Sequence, residues 1–400
     1  MNGMDIHKLE DYFREKFEDI LNGFFEEDRE DIKRFCQESL IQGIKPARLI
    51  KYLYTLRPLS RELGKPFCKA SKEDLQELIA RIETSNYSEW TKHDRKVILR
   101  KYLRFLGKED LITWKIKTVR NNDKLPEEIL TEEEVKRIAE AAYFKRDKAF
   151  ILALYESGAR IGEFLPLKIK HLSFDEYGAI LHVRGKTGSR RIRLIASAPA
   201  LQEWIEEHPA KEDPEAYLWC KVPTPNNPKW KNEPLSYNYT CRMIKELAKK
   251  AGVKKKVNPH AFRHARATFL ANFLTEAQMK EFFGWVGDSD MAAIYVHLSG
   301  RDVDNALLNV YGIKEGEKAK EPVIKIKKCP RCGETNDPAA KFCKRCYLPL
   351  DQPYNQRDKL EALLVSFFQE LAERFPEVKE LFAKVVEREK AEDLISQKSQ

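Results

Sequence analysis

The chain of 400 residues has room for two to four domains of about 100 to 200 residues each, which excludes a miniprotein held together by disulfides. Charged residues make up 34% of it, and no run approaches the roughly 20 apolar residues that cross a bilayer, so a helical membrane protein is excluded as well. The formal charge of +9, from 72 basic and 63 acidic residues, points weakly to a polyanionic partner, and its distribution matters more than its sum.

Residues 1–50 carry 8 basic and 12 acidic groups, whereas residues 51–125 carry 18 and 10, a local excess of +8. The opening stretch MNGMDIHKLE lacks the apolar core of a signal peptide, so a cytoplasmic location is expected. Apolar residues recur every three or four positions in EDYFREKFEDILNGFF, PARLIKYLYTL and EDLQELIARI, which predicts successive helices over residues 5–106. Ser71 and Asp74 have the spacing of a capping box for the third of these. The next helix, in SEWTKHDRKVILRKYLRFLG, sets Lys92, Lys96, Arg100 and Arg104 at four-residue spacing opposite Ile98, Leu99, Tyr102 and Leu106. This basic stripe reads as a DNA contact if the remainder of the chain handles DNA, and otherwise as a solvated face. Periodicity is lost from Lys115 to Pro126, as in an interdomain linker.

A second domain opens at Thr131, where Thr131 and Glu134 form another capping-box pattern. RDKAFILALYESG reads as a helix, and AILHVRG and SRRIRLI read as a hairpin around Lys186, Thr187 and Gly188. Helical patterns follow at residues 200–207, 236–251, 260–273, 275–283 and 288–298. A charged tether then leads to four cysteines, and RDKLEALLVSFFQELAERF begins an amphipathic tail. Its stripes, Leu360, Leu363, Leu364, Phe367 and Leu371, then Val378, Leu381, Phe382 and Val385, predict either a helical hairpin or a self-association module.

Cys329 and Cys332, then Cys343 and Cys346, form two C-x-x-C knuckles ten residues apart. Two tight turns that present paired thiolates suit tetrahedral zinc, and the segment resembles a short zinc ribbon. Four protein ligands leave no open position, so the zinc would be structural. A redox dithiol or disulfide pair is the rival reading, disfavoured by the cytosolic setting and by the presence of two knuckles where one suffices. Arg331, Lys341, Lys344 and Arg345 around it serve either phosphate contact or solubility.

The informative residues are dispersed through the second domain. SGARIGEFLPL holds Arg160 just before a helix, and VRGKTGSRRIRL holds Lys186 in the hairpin turn. PHAFRHARAT puts His260 and Arg263 on one helical face, and FFGWVGDSDMAAIYVHL holds Trp285 and Tyr295. Their order, Gly-x-Arg-Ile-x-Glu, hairpin Lys, His-x-x-Arg-His, Gly-Trp and Ile-Tyr-x-His, resembles the tyrosine recombinase (phage integrase) family across residues 131–312. The whole layout is similar to archaeal integrases with a C-terminal zinc ribbon. The resemblance implies a multidomain, mainly α chain. It would comprise a helical core-binding domain (1–114), a linker (115–126) and an α+β catalytic domain with a small antiparallel sheet (127–312). A charged linker (313–327), the zinc ribbon (328–350) and a helical tail (356–395) would follow.

The residue types fit metal-free phosphodiester chemistry, which needs a nucleophile, neutralisation of two non-bridging oxygens and a proton for the leaving oxygen. Arg160 and Arg263 suit the oxygens, because a guanidinium stays charged and donates a fork of hydrogen bonds. The resemblance makes Tyr295 the nucleophile of a 3′-phosphotyrosine intermediate and Lys186 the general acid. His260 would assist proton transfer, and the Trp285 indole would bond the phosphate. It also implies double-stranded DNA as partner, a tetramer on paired sites, and no nucleotide or catalytic metal. Three features depart from the family or compete with this assignment: Trp285 stands where many members have histidine and reads otherwise as core packing, the interval from Trp285 to Tyr295 is one residue longer than common, around Gly287 and Asp288, and Tyr311 is a nearby alternative nucleophile. His264 and Arg266 read as helix packing or phosphate contacts. A type IB-like topoisomerase shares the nicking chemistry, and a non-catalytic DNA-binding protein shares the fold; joined products and the covalent adduct, respectively, separate these readings.

Overall fold

The computed structural model describes residues 9–117, 128–185, 188–223, 230–287, 289–298, Tyr311, residues 322–351 and six positions between 364 and 375. Among the described residues no helix is long and apolar enough to cross a membrane. The chain is helix-rich with two small antiparallel sheets.

Five helices form the N-terminal part: α1 (Leu9–Leu21), α2 (Glu26–Ile41), α3 (Pro46–Leu63), α4 (Lys72–Thr84) and α5 (Glu89–Phe105). The periodicity predicts one helix through residue 25, but the chain breaks at Asn22 and Gly23 and starts α2 at Glu26. The helix α2 escapes a reading by apolar periodicity because EEDREDIKRFCQESLI is mostly polar; it buries Ile32, Phe35 and Cys36. Ser71 and Asp74 form the reciprocal capping box at the start of α4. Leu53, Leu56, Leu78, Leu99 and Tyr102 are fully buried in one core that contains no residue beyond α5 among its buried members.

A second core begins after residue 128. The capping box of Thr131 and Glu134 opens α6 (Glu132–Glu140), which packs on the central α7 (Lys145–Ser157). After α8 (Ile161–Phe164) come three antiparallel strands in sequential order, β1 (Leu172–Asp175), β2 (Gly178–Gly185) and β3 (Gly188–Leu194). The pairing of Gly185 with Gly188 closes the hairpin expected there, while β1 lacked a separate sequence signal. The remaining helices are α9 (Ala198–Glu206), α10 (Tyr237–Lys250), α11 (Pro259–Leu270), α12 (Glu276–Phe283) and α13 (Met291–Leu298). Helix α7 is buried along nearly its whole length, so it fixes the sheet, α9 and α11 to one frame.

The cysteine segment carries β4 (Lys327–Lys328) and β5 (Thr335–Asn336) and packs on this second core. Ile324 and Ala339 join its apolar cluster. The Glu132 carboxylate accepts from Tyr155 Oη at 3.0 Å and from the Val323 amide at 2.8 Å. Lys148 pairs with the buried Asp337 at 3.4 Å. Of the tail, Leu364, Phe367 and Leu371 are described as helical, and the rest of both stripes lies outside the described residues.

Candidate active site

Arg160 stands immediately before α8, where the turn of α7 into α8 places it over a buried carboxylate. Its Nη1 donates to Glu163 Oε1 at 2.9 Å, and Arg190 Nη2 of β3 donates to Glu163 Oε2 at 2.8 Å. Arg190 Nε also donates to the Phe282 carbonyl at 3.0 Å, so one side chain ties the hairpin to α8 and to the end of α12. Burial alone would raise the Glu163 carboxyl, but hydrogen bonds and charge from Arg190 and Arg160 outweigh it and hold the group below the usual carboxylate range.

Arg263 lies on α11 and is 6% exposed. Its Nη1 donates to the Gly158 carbonyl at 2.7 Å and its Nη2 to the Phe283 carbonyl at 2.8 Å, which orients the guanidinium plane from two sides. Gly158 ends α7 with φ of +54°, and a Cβ there would collide with the Phe283 ring. The same glycine therefore permits the turn, the approach of α12 and the carbonyl that holds Arg263. Burial, with repulsion from Arg160 and Arg190, draws the Arg263 pKa down to about 9, against an opposing pull from Glu163 and Tyr295. It remains protonated at neutral pH.

Tyr295 on α13 is 5% exposed. Trp285 lies parallel to it, with ring centroids 5.7 Å apart and 1° between planes, and Phe283 stacks behind Trp285 at 4.8 Å. The longer interval between Trp285 and Tyr295 therefore does not separate the two rings. Burial pushes the Tyr295 phenol up to about 12, with Arg263 opposing. Its hydroxyl is hydrogen-bonded to His264 Nδ1. His260, exposed one turn earlier on α11, has its ring 6.2 Å from that of His264.

A cavity of about 320 Å³ collects these groups: Arg160, His260, Arg263, Trp285 and Tyr295 all line it, and so does His264. Five of the six residues singled out in the sequence thus share one concave site, and Lys186 lies outside the described residues. Gly185 beside it passes so close to Glu163 that a Cβ would collide with the carboxylate, which brings the hairpin's end to the partner of Arg160. Tyr311 is 75% exposed and does not line the cavity. The side chain of His297 lies outside the described residues. His264, expected to serve packing or phosphate contact, instead reaches the Tyr295 hydroxyl; its position in His-x-x-Arg-His, four residues after His260, was the signal available.

The proposed basic stripe is largely compensated. Lys92 pairs with Glu89 at 3.0 Å, Lys96 with Glu83 at 2.5 Å and Arg104 with Glu109 at 3.0 Å, and Lys96 is 6% exposed. Arg100 is half-buried beside a cavity of about 560 Å³ between α2 and α5 that Lys101 and Arg104 also line. At the other end of the chain, the sulfurs of Cys329, Cys332, Cys343 and Cys346 lie within 4.8 Å of one another. Two pairs are separated by 3.5 Å, near the roughly 3.8 Å between thiolates bound tetrahedrally at about 2.3 Å from a zinc ion. The set fits one metal ion.

The family model described as "Phage integrase family" matches residues 128–301. The tyrosine recombinase XerA of Pyrococcus horikoshii is 30% identical over 240 residues, covering 60% of this chain and 79% of that one. Its counterpart from Pyrococcus furiosus is 28% identical over 246 residues, covering 60% and 80%. The Tn1549 transposon integrase, solved in complex with a circular intermediate DNA, matches in fold with a TM-score of 0.51 at 19% identity, over 70% of this chain and 99% of that one. XerH site-specific recombinase, solved bound to a palindromic difH substrate, matches with a TM-score of 0.50 at 20% identity, over 68% and 82%. With that degree of identity and coverage, the chain belongs to the phage integrase family of tyrosine recombinases.

Proposed function

We propose that the chain is a site-specific DNA recombinase that cuts and rejoins strands without ATP. The cavity where Arg160, His260, Arg263, Trp285 and Tyr295 converge carries this reading. Arg160 and Arg263 bind the non-bridging oxygens of the scissile phosphate, and their supports on Glu163, Gly158 and Phe283 hold them in place before DNA arrives. Tyr295 attacks phosphorus, forms a 3′-phosphotyrosine and releases a 5′-oxygen, which Lys186 protonates from the hairpin. His260 assists proton transfer, and the Trp285 indole N–H bonds the phosphate. The phosphotyrosine retains the energy of the phosphodiester, so a 5′-hydroxyl from another strand reseals the break.

Each chain offers one such nucleophile, and exchanging two duplexes requires four strand breaks, so four copies act on paired sites. The N-terminal helical part, with Arg100 as the phosphate contact of its basic stripe, and the catalytic part close as a clamp on double-stranded DNA in the cytoplasm. The four cysteines hold a structural zinc ion, which closes the ribbon's two knuckles when bound. The exposed Leu364 and Phe367, with Leu371, supply one apolar face to self-association. The test is to incubate the protein with host genomic fragments, trap covalent adducts and sequence the attached DNA. Enrichment of one site with joined products supports the reading; relaxation of plasmid without joined products favours a topoisomerase, and no adduct refutes both.

A further inference from the structure

Helix α11 sets His260, Arg263 and His264 along one face, and α13 packs across it so that Tyr295 meets His264. In the cavity that Tyr295 lines, Arg160 stands just before α8, α11 contributes Arg263, His264 and His260, and the segment before α13 contributes Trp285 and Ser289. Arginine and the indole N–H donate only, whereas a neutral imidazole offers a lone pair. With the proton on Nε2, the His264 ring accepts the phenolic hydrogen at Nδ1. Trp285 stacks on the phenol ring, 5.7 Å between centroids.

We propose that His264 is a catalytic residue of this site, the base that takes the Tyr295 proton during cleavage and returns it during resealing. The proposal rests on Tyr295 being the nucleophile. As the bond from Oη to phosphorus forms and the bond from phosphorus to O5′ breaks, the phenolic proton passes to Nδ1 and leaves an imidazolium. The proton for O5′ comes separately from the general acid, so His264 and that acid serve opposite ends of the reaction. Reversal returns both protons. A phenol that keeps its proton well above neutral pH needs such an acceptor in contact, and the new imidazolium adds positive charge beside a phosphorane that is gaining negative charge.

The test uses the full-length protein and a nicked suicide duplex carrying the site recovered by adduct sequencing, with His264→Ala and His264→Asn. Asparagine keeps an acceptor near the Nδ1 position but takes no proton. Both variants should bind the duplex and melt like the wild type yet form adduct about 100-fold more slowly, in the range general bases contribute. Replacing Tyr295 with a fluorinated, more acidic tyrosine should recover much of that loss. A 5′-bridging phosphorothiolate, whose sulfur leaves without a proton, should not. Wild-type rates in His264→Asn, or a deficit that the fluorinated tyrosine leaves unchanged, would overturn the proposal. Tyr295→Phe is the control: adduct persisting there refutes the nucleophile itself, whereas its loss together with normal cleavage by the His264 variants refutes only the role of His264.

Discussion

Trp285 and Tyr295 lie face to face, 5.7 Å between centroids and 1° from parallel, although ten positions separate them in sequence. The indole is itself backed by Phe283, whose carbonyl holds Arg263, so one aromatic stack fixes both the phenol and the guanidinium. Trp285→Ala should slow adduct formation about 10- to 100-fold, through lost packing as well as a lost donor to phosphate. Trp285→Phe keeps the stack and loses the donor. Single-turnover rates for the two variants separate these contributions, and equal deficits would assign the whole effect to the N–H.

Arg263→Lys should fail despite conserving charge. The guanidinium satisfies two carbonyls, at 2.7 and 2.8 Å, that a single ammonium cannot reach in the same geometry. A buried carbonyl left without its donor costs about 1 to 3 kcal/mol, visible as a lower Tm, and adduct formation should become undetectable. Gly158→Ala acts on the same point from the backbone. Strain at φ of +54° and collision with Phe283 should lower Tm and displace Arg263, so cleavage falls without any change to a group that meets phosphate.

Much of this arrangement was legible in the sequence, and the parts that were not have a common physical origin. The capping boxes at Ser71 and Thr131 are local, set by residues three apart, and both form. The order of Arg160, His260, Arg263, Trp285 and Tyr295 pointed to one site because it resembles the motif order of the tyrosine recombinase family, and the five line one cavity. The partner of His264 could not be read, since Tyr295 reaches it only when α13 packs on α11. The compensation of Lys96 and Arg104 was equally hidden, because Glu83 comes from α4 and Glu109 from the turn after α5. In each case the missing information is a contact between elements, to which periodicity and propensity are blind.

Glu163 makes the site sensitive to acid. Its folded pKa lies below that of an unfolded glutamate, so the stabilisation from Arg160 and Arg190 is fully present above about pH 4.3 and is lost as pH falls through the folded value. In Glu163→Gln this acid-dependent component should vanish, leaving a flatter Tm profile below about pH 4.3. At neutral pH the variant should be less stable and cleave more slowly, because Arg160 and Arg190 lose their shared anion. An unchanged acid limb in Glu163→Gln would show that another carboxylate governs it.

Removing an ion from the proposed metal site on the four cysteines should weaken more than the cysteine segment. Ile324 and Ala339 are part of the second apolar core, and Asp337 and the Val323 amide are tied to Lys148 and Glu132. Chelation or Cys332→Ser should therefore lower the Tm of the catalytic part by several degrees, about what 1 to 3 kcal/mol produces in a domain of this size. Single-turnover cleavage well below the melting point should persist, since no cysteine lines the catalytic cavity. A catalytic part that melts unchanged after chelation and in Cys332→Ser would mean that the packing of Ile324 and Ala339 does not depend on a metal ion.

The basic stripe on α5 divides into two kinds of cation. Lys96 is buried against Glu83, and removing it strands that carboxylate, so Lys96→Ala should lower Tm while changing the salt dependence of DNA binding little. Arg100 lies half-buried beside Lys101 and lines the cavity between α5 and α2, and the proposed phosphate contact of the stripe rests on it. Arg100→Ala should leave Tm near the wild-type value and weaken binding to any duplex. The slope of log K against log salt should also become shallower by about 1, as one phosphate contact is lost. Affinities measured from low to moderate salt decide the matter: an unchanged slope in Arg100→Ala, or a reduced one in Lys96→Ala, would reverse the assignment of the two residues.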